Sequence, residues 1–152
     1  MNFDFSDEQK QMRDAARKFL AEKCPPKAVR AVLEGNAPYD KELWKGLAEM
    51  GFIGVAIPEE FGGAGAGHLE LCVIAEEMGR ALAPVPFSST VYLAAEALLI
   101  AGSEAQKQKW LPKIASGEAI GTLALFEGKG NPSAAAIKLT ASGGSLDRKS
   151  VV

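Results

Sequence analysis

Residues 47–63 read Leu47-Ala48-Glu49-Met50-Gly51-Phe52-Ile53-Gly54-Val55-Ala56-Ile57-Pro58-Glu59-Glu60-Phe61-Gly62-Gly63. Helical spacing runs through Leu43, Trp44 and Leu47, with Asp40 as the cap before it and Gly51 after its end. Gly54 to Ile57 then reads as a short extended segment. Pro58 leads into a turn, and glycines recur through Gly67. The glycine run is expected to be a flexible connection between a third and a fourth helix.

Outward from this stretch the helical pattern continues on both sides. Ser6 and Gln9 form a capping box, and Met12, Ala15, Ala16, Phe19 and Leu20 recur at helical spacing until Pro25 and Pro26. A second short helix, Lys27 to Glu34, ends before Gly35. The fourth helix is expected from about His68 to Leu82, stopped by Pro84 and Pro86. A fifth starts at Ser88 or Ser89 and runs from Val91 to Ala101, apolar nearly all round. That pattern predicts the most buried helix of the bundle, with Leu98 inside it. Ser103 and Gln106 make a second capping box, opening a sixth helix through Trp110, Leu111 and Ile114.

After Gly117 the period changes. Ile120, Thr122, Ala124 and Phe126 alternate with Gly121, Leu123 and Leu125, the pattern of a strand. A second strand covers about Ala136 to Ala141, and Gly143-Gly144 reads as a turn. The expected fold is mainly α: a six-helix N-terminal bundle, residues 1–117, followed by an incomplete β domain, residues 118–152. Two or three strands seldom stand alone. A polypeptide stopping there is expected to self-associate through uncovered strand edges and apolar faces.

Composition excludes several classes. With 17 basic and 19 acidic residues interspersed, the net charge is -2, and no basic stripe marks a nucleic-acid surface. Hydrophobic residues make up 47% of the chain, too many for disorder. The acidic opening MNFDFSDEQK is no signal peptide, and no apolar run is long enough for a membrane span. Cys24 and Cys72 fit no metal-ligand spacing and suit a reduced compartment, so a soluble cytoplasmic protein is expected.

Residues alone name no reaction. His68 is the only histidine, at a helix start, and suits a surface or capping role. Glu59-Glu60 reads as a solvated turn, because acid–base pairs need opposed, differently buried carboxylates. Gly62 to Gly67 looks superficially like a phosphate loop but lacks the Lys-Ser/Thr of one. No nucleophile triad assembles.

The whole chain resembles acyl-CoA dehydrogenases. The resemblance is carried by Phe5 to Gln9, by residues 47–63 as quoted, by Ala101 to Glu118 and by the strand Ile120 to Glu127. It implies a three-domain fold, of which this chain holds the first domain and the start of the second. It also implies α,β-dehydrogenation of an acyl-CoA thioester with FAD, reoxidation by electron-transfer flavoprotein, and a homo- or hetero-oligomer. The family's glutamate base lies in the C-terminal domain, so no residue here inherits the catalytic role.

The implied flavin contacts fall at Leu125, Phe126, Glu127 and Ser133. The family has a threonine where Phe126 stands, a proline at Gly128 and an aspartate at Ala134, and Ser133 matches only with a one-residue slip. Phe126 cannot donate a hydrogen bond. In this the chain resembles members with divergent sites, some of them paired unlike subunits, so a non-catalytic partner subunit stands beside the enzyme reading. Ser89, Thr90 and Leu93 match acyl-pocket positions, and each equally suits plain helix packing. The acyl length, or a ring-type substrate, stays open.

Overall fold

The computed structural model of the chain describes residues 4–124 and the backbone of residues 141–142 and 145–146. The chain divides into two compact units, Met1–Thr122 and Leu123–Val152. Six α-helices build the first: α1 Asp7–Lys23, α2 Pro26–Leu33, α3 Lys41–Glu49, α4 His68–Arg80, α5 Glu96–Ala101 and α6 Glu104–Ala115. A 3₁₀ turn, Glu59–Phe61, precedes α4, and a π-helix, Ser88–Ala95, runs directly into α5. In the second unit β1, Ala141–Ser142, pairs antiparallel with β2, Ser145–Leu146; the turn expected at Gly143-Gly144 lies outside the described residues.

The helix starts are set locally. The Ser6 hydroxyl accepts the Gln9 N–H, and the Gln9 side chain accepts the Ser6 N–H at 2.9 Å. Ser103 and Gln106 repeat the arrangement at α6, and the Asp40 carboxylate accepts the Leu43 N–H at α3. The Gln9 amide also donates to Glu70 at 2.8 Å, tying the cap of α1 to the first turn of α4.

Those two helices pack along each other. α1 contributes Ala16 and Leu20 to the core, and α4 contributes Leu71, Ile74 and Met78. Between them lies Glu77, only 1% exposed. The Arg17 fork donates to both its oxygens, at 2.6 and 3.0 Å, and Arg80 approaches at 3.4 Å. The Arg17 hydrogen bonds hold the Glu77 carboxyl below its ordinary value against the opposing effect of burial, and the charges of Arg17, Arg80 and Arg13 add to the lowering. On the other side of the core Trp44 of α3 donates its indole N–H to the Gly117 carbonyl at 2.9 Å, fastening α3 to the end of α6.

Three expectations need correction. Gly54 to Ile57 is not extended. It winds through consecutive turns, because its carbonyls are taken by the returning glycine loop rather than by a strand partner. The apolar segment from Ser88 onward is a π-helix continuing into α5, and it is not the most buried. Thr90, Val91 and Ala95 point inward, Leu98 is half-buried and Ile100 is 82% exposed. All-round apolarity shows what a helix can bury, whereas burial also needs neighbours. Residues 120–124 form no strand; Gly121 bonds to a side chain instead of a ladder. Among the described residues no strand precedes Pro112, and no helix is long and apolar enough to cross a membrane.

Leu111→Ala, at a side chain with no exposed surface, is expected to cost about 2–5 kcal/mol in a urea titration. Ile100→Ala is expected to change stability by less than about 0.5 kcal/mol. Equal losses at the two positions would show that the outer face of α5 is covered. A second expectation follows from Glu77. A carboxyl lowered by folding stabilises the fold above its unfolded value, and that contribution is lost as pH falls through the folded value. The melting midpoint should therefore drop below roughly pH 4, and Glu77→Gln should flatten that drop. Parallel pH profiles for the two proteins would remove Glu77 from the account.

Candidate functional site

All three positions marked for an acyl group lie on the π-helix. Its start is held by the Pro86 carbonyl, which accepts the Thr90 N–H at 3.2 Å and the Ser89 hydroxyl at 3.2 Å. Phe87 is buried, with Tyr92 edge-on at 5.5 Å between ring centroids. Burial pushes the Tyr92 phenol up, with Cys72 adding to it. Ser89 is half-buried and Leu93 is 44% exposed. Thr90 has no exposed surface. Its hydroxyl donates to the Gly121 carbonyl and accepts the Gly121 N–H, both at 3.3 Å. Gly121 reaches this position because it has no side chain: a Cβ there would lie 2.5 Å from the Ala94 Cβ.

Beside this clasp is an apolar cavity of about 440 Å³. The π-helix and α5 supply Ala94 and Leu98, α6 supplies Trp110 and Ile114, and the return segment supplies Ile120 and Gly121. Ser89, Thr90 and Leu93 are not in its wall, so the structure does not gather the marked residues around this space. Leu125, Phe126, Glu127 and Ser133, marked for the flavin, lie outside the described residues.

The glycine loop is pinned, not free. The Gly63 N–H donates to Pro58, Ala64 to Gly54, Gly65 to Ile57 and Ala66 to Val55, at 2.9 to 3.2 Å. Those N–H groups point back into the chain, which leaves them unable to cradle a phosphate. Gly63 sits so close that a Cβ would lie 2.0 Å from the Ile57 carbonyl oxygen. The next element begins at His68, which is 74% exposed and meets Glu96 at 2.9 Å, joining α4 to α5 across the surface. Glu59 and Glu60 are exposed on the 3₁₀ turn. Among the described residues no group of three or more His, Cys, Asp or Glu could hold a metal ion.

The region is therefore a set of walls and fasteners. Sequence reasoning missed Gly121, Ala94 and the Arg17–Glu77 clamp. An isolated glycine within a strand-like pattern is a signal for close backbone approach, and it was available at Gly121. Nothing local announces that Arg17 and Glu77, sixty residues apart, meet.

Comparison with known proteins bears on the same residues. A family model, acyl-CoA dehydrogenase N-terminal domain, matches residues 6–118. Isovaleryl-CoA dehydrogenase, mitochondrial, of Pongo abelii is 38% identical over 138 residues, covering 90% of this chain and 33% of that protein. The structure of the ChsE4-ChsE5 complex from Mycobacterium tuberculosis superposes with a TM-score of 0.82 at 29% identity, over 96% of this chain and 39% of that one. The glutaryl-coenzyme A dehydrogenase glutaryl-CoA complex gives 0.77 at 30% identity, over 91% and 36%. The chain thus spans about a third of the length of the curated relatives it matches.

Gly63→Ala is expected to break the loop, since a carbonyl oxygen of the backbone cannot yield as a flexible side chain would. A loss of about 1–3 kcal/mol, the usual range for overpacking, should accompany faster amide exchange at Gly65 and Ala66. An unchanged exchange pattern would mean that the loop bonds are not what holds it.

Proposed function

From the premise that this chain belongs to the acyl-CoA dehydrogenase family, we propose that it is the N-terminal part of an enzyme that oxidises an acyl-CoA thioester to the α,β-unsaturated thioester. The observation that carries this reading is the continuous match over residues 6–118, which takes in every helix of the first unit. The part played by these residues is binding. Ser89, Thr90 and Leu93 belong to the helix that borders the acyl group. The base that removes the α-proton comes from outside this sequence, as do the partners: electron-transfer flavoprotein and further subunits of the same or an unlike kind. A cytoplasmic location completes the reading.

FAD is the cofactor this reading assigns, and when bound it supplies the redox centre that the side chains lack. The donor set for it is short. Backbone groups at Leu125, Phe126 and Glu127 and the Ser133 hydroxyl are able to bond a flavin ring, but the Phe126 side chain has no donor. That substitution favours a second reading, a partner subunit of a heteromeric acyl-CoA dehydrogenase that keeps the fold without a complete flavin site. The similarity to one chain of a ChsE4-ChsE5 complex supports the pairing of unlike subunits in that reading.

A lost hydrogen bond to a buried polar group costs about 1–3 kcal/mol, roughly a ten- to hundredfold in affinity. The 152-residue polypeptide is therefore expected to purify colourless. A longer protein carrying it should hold flavin weakly or only with a partner subunit, and Phe126→Thr should tighten flavin by that factor. Visible absorbance of the purified proteins tests both points. Stoichiometric yellow flavin in the short polypeptide, or in the long one with no partner, sinks the divergent-site reading. Absence of acyl-CoA oxidation in the complete assembly sinks the enzyme reading.

A further inference from the structure

We propose that Thr90 is a positioning residue for the acyl site and not one of its contacts: by clasping Gly121 it fixes the rotation of the π-helix and so presents Ser89 and Leu93. The inference rests on the assignment of the π-helix to an acyl-CoA site and sharpens it. A hydroxyl has one proton to give and lone pairs to accept with. At Thr90 the proton goes to the Gly121 carbonyl and a lone pair takes the Gly121 N–H, with no surface left exposed. A side chain so placed has no group free for a ligand.

The same contact sets the helix phase. In i→i+5 winding, residues four or five apart share a face. Thr90 and Ala95 share the inner one, both buried, and Ala94 lies against Gly121 at the limit of approach. Ser89 and Leu93, four apart, stack on the neighbouring line, where Leu93 is open to a ligand. Turning the helix to bring Thr90 outward would leave two backbone groups of Gly121 without partners and press Ala94 out of its contact. The clasp therefore decides which side chains of the π-helix an apolar ligand meets.

The test compares Thr90→Val, which keeps the shape and removes the hydroxyl, with Thr90→Ser, which keeps the hydroxyl. Gly121→Ala, alone and with Ala94→Gly, attacks the contact from the other side in case Thr90→Val folds poorly. Two quantities are measured: amide exchange at Gly121, and dissociation constants of the complete protein for butyryl-, octanoyl- and dodecanoyl-CoA. Thr90→Val should speed exchange at Gly121, weaken the preferred thioester about tenfold and change the order of the three. Thr90→Ser should stay within about twofold of the parent by the same measure. Gly121→Ala should behave as Thr90→Val does, and Ala94→Gly should restore it. Faster Gly121 exchange with all three constants unchanged overturns the proposal, leaving Thr90 a packing residue. Weaker binding with unchanged Gly121 exchange overturns it too, since Thr90 would then touch the ligand. A parent protein that binds none of the three thioesters removes the acyl-CoA reading itself. If Leu93→Ala reorders the three while Thr90→Val is inert, that reading stands and only this inference falls.

Discussion

A buried carboxylate dictates how the first unit is assembled. Moving Glu77 out of water is costly unless its charge is matched and both oxygens are bonded. Among the described residues only Arg17 meets both oxygens at bonding distance, and Arg80 adds a second positive charge. The planar guanidinium matches the carboxylate in a way a lysine could not. Because the fork reaches both oxygens at once, α1 can sit against α4 at one height and one rotation. Gln9 and Glu70 repeat the register two turns away. With α4 so placed, the chain leaving it bonds the Asp40 N–H through the Pro84 carbonyl, and Asp40 is the cap that starts α3. The charged pair thus specifies an arrangement that the apolar core then stabilises.

The other constraint is how closely backbone can approach backbone. Gly117, at the end of α6, has φ +74°, and a Cβ there would lie 2.9 Å from the Ala48 Cβ of α3. The left-handed turn aims its carbonyl at the Trp44 indole. Gly121, four residues on, meets the π-helix at Ala94 in the same manner. Between these two contacts the chain is drawn across the bundle, and the path it is forced to take makes the far wall of the apolar cavity.

What the sequence discloses and what it withholds divide by range. Ser6 with Gln9, Ser103 with Gln106 and Asp40 were legible because a cap is a contract among four neighbouring residues. Six helices in their order were legible for the same reason. Gly54 to Ile57 misled because its carbonyls are claimed by residues 64–66, a tertiary decision that alternation cannot report. Val91 to Ala101 misled because apolarity states a capacity for burial and says nothing of what covers it. At the candidate site Ser89, Thr90 and Leu93 were correctly placed on one helical element, yet they differ in kind: one hydroxyl is bonded to its own turn, one is spent on a distant glycine and one side chain is open. Only the structure separates them.

That separation bears on how function divides in such a chain. The described residues provide walls, a clasp and a pinned loop, and the only histidine is exposed and paired with Glu96. Walls select by shape and apolar contact, which distinguishes ligands by one methylene at about 1–3 kcal/mol. Proton and hydride transfer need groups that walls do not contain. Neither the Thr90–Gly121 clasp nor the Arg17–Glu77 clamp uses a residue marked for the flavin. On the proposed reading, a missing donor at residue 126 leaves the contacts that hold residues 4–122 in place, and the same helical unit suits an enzyme subunit and a partner that only binds.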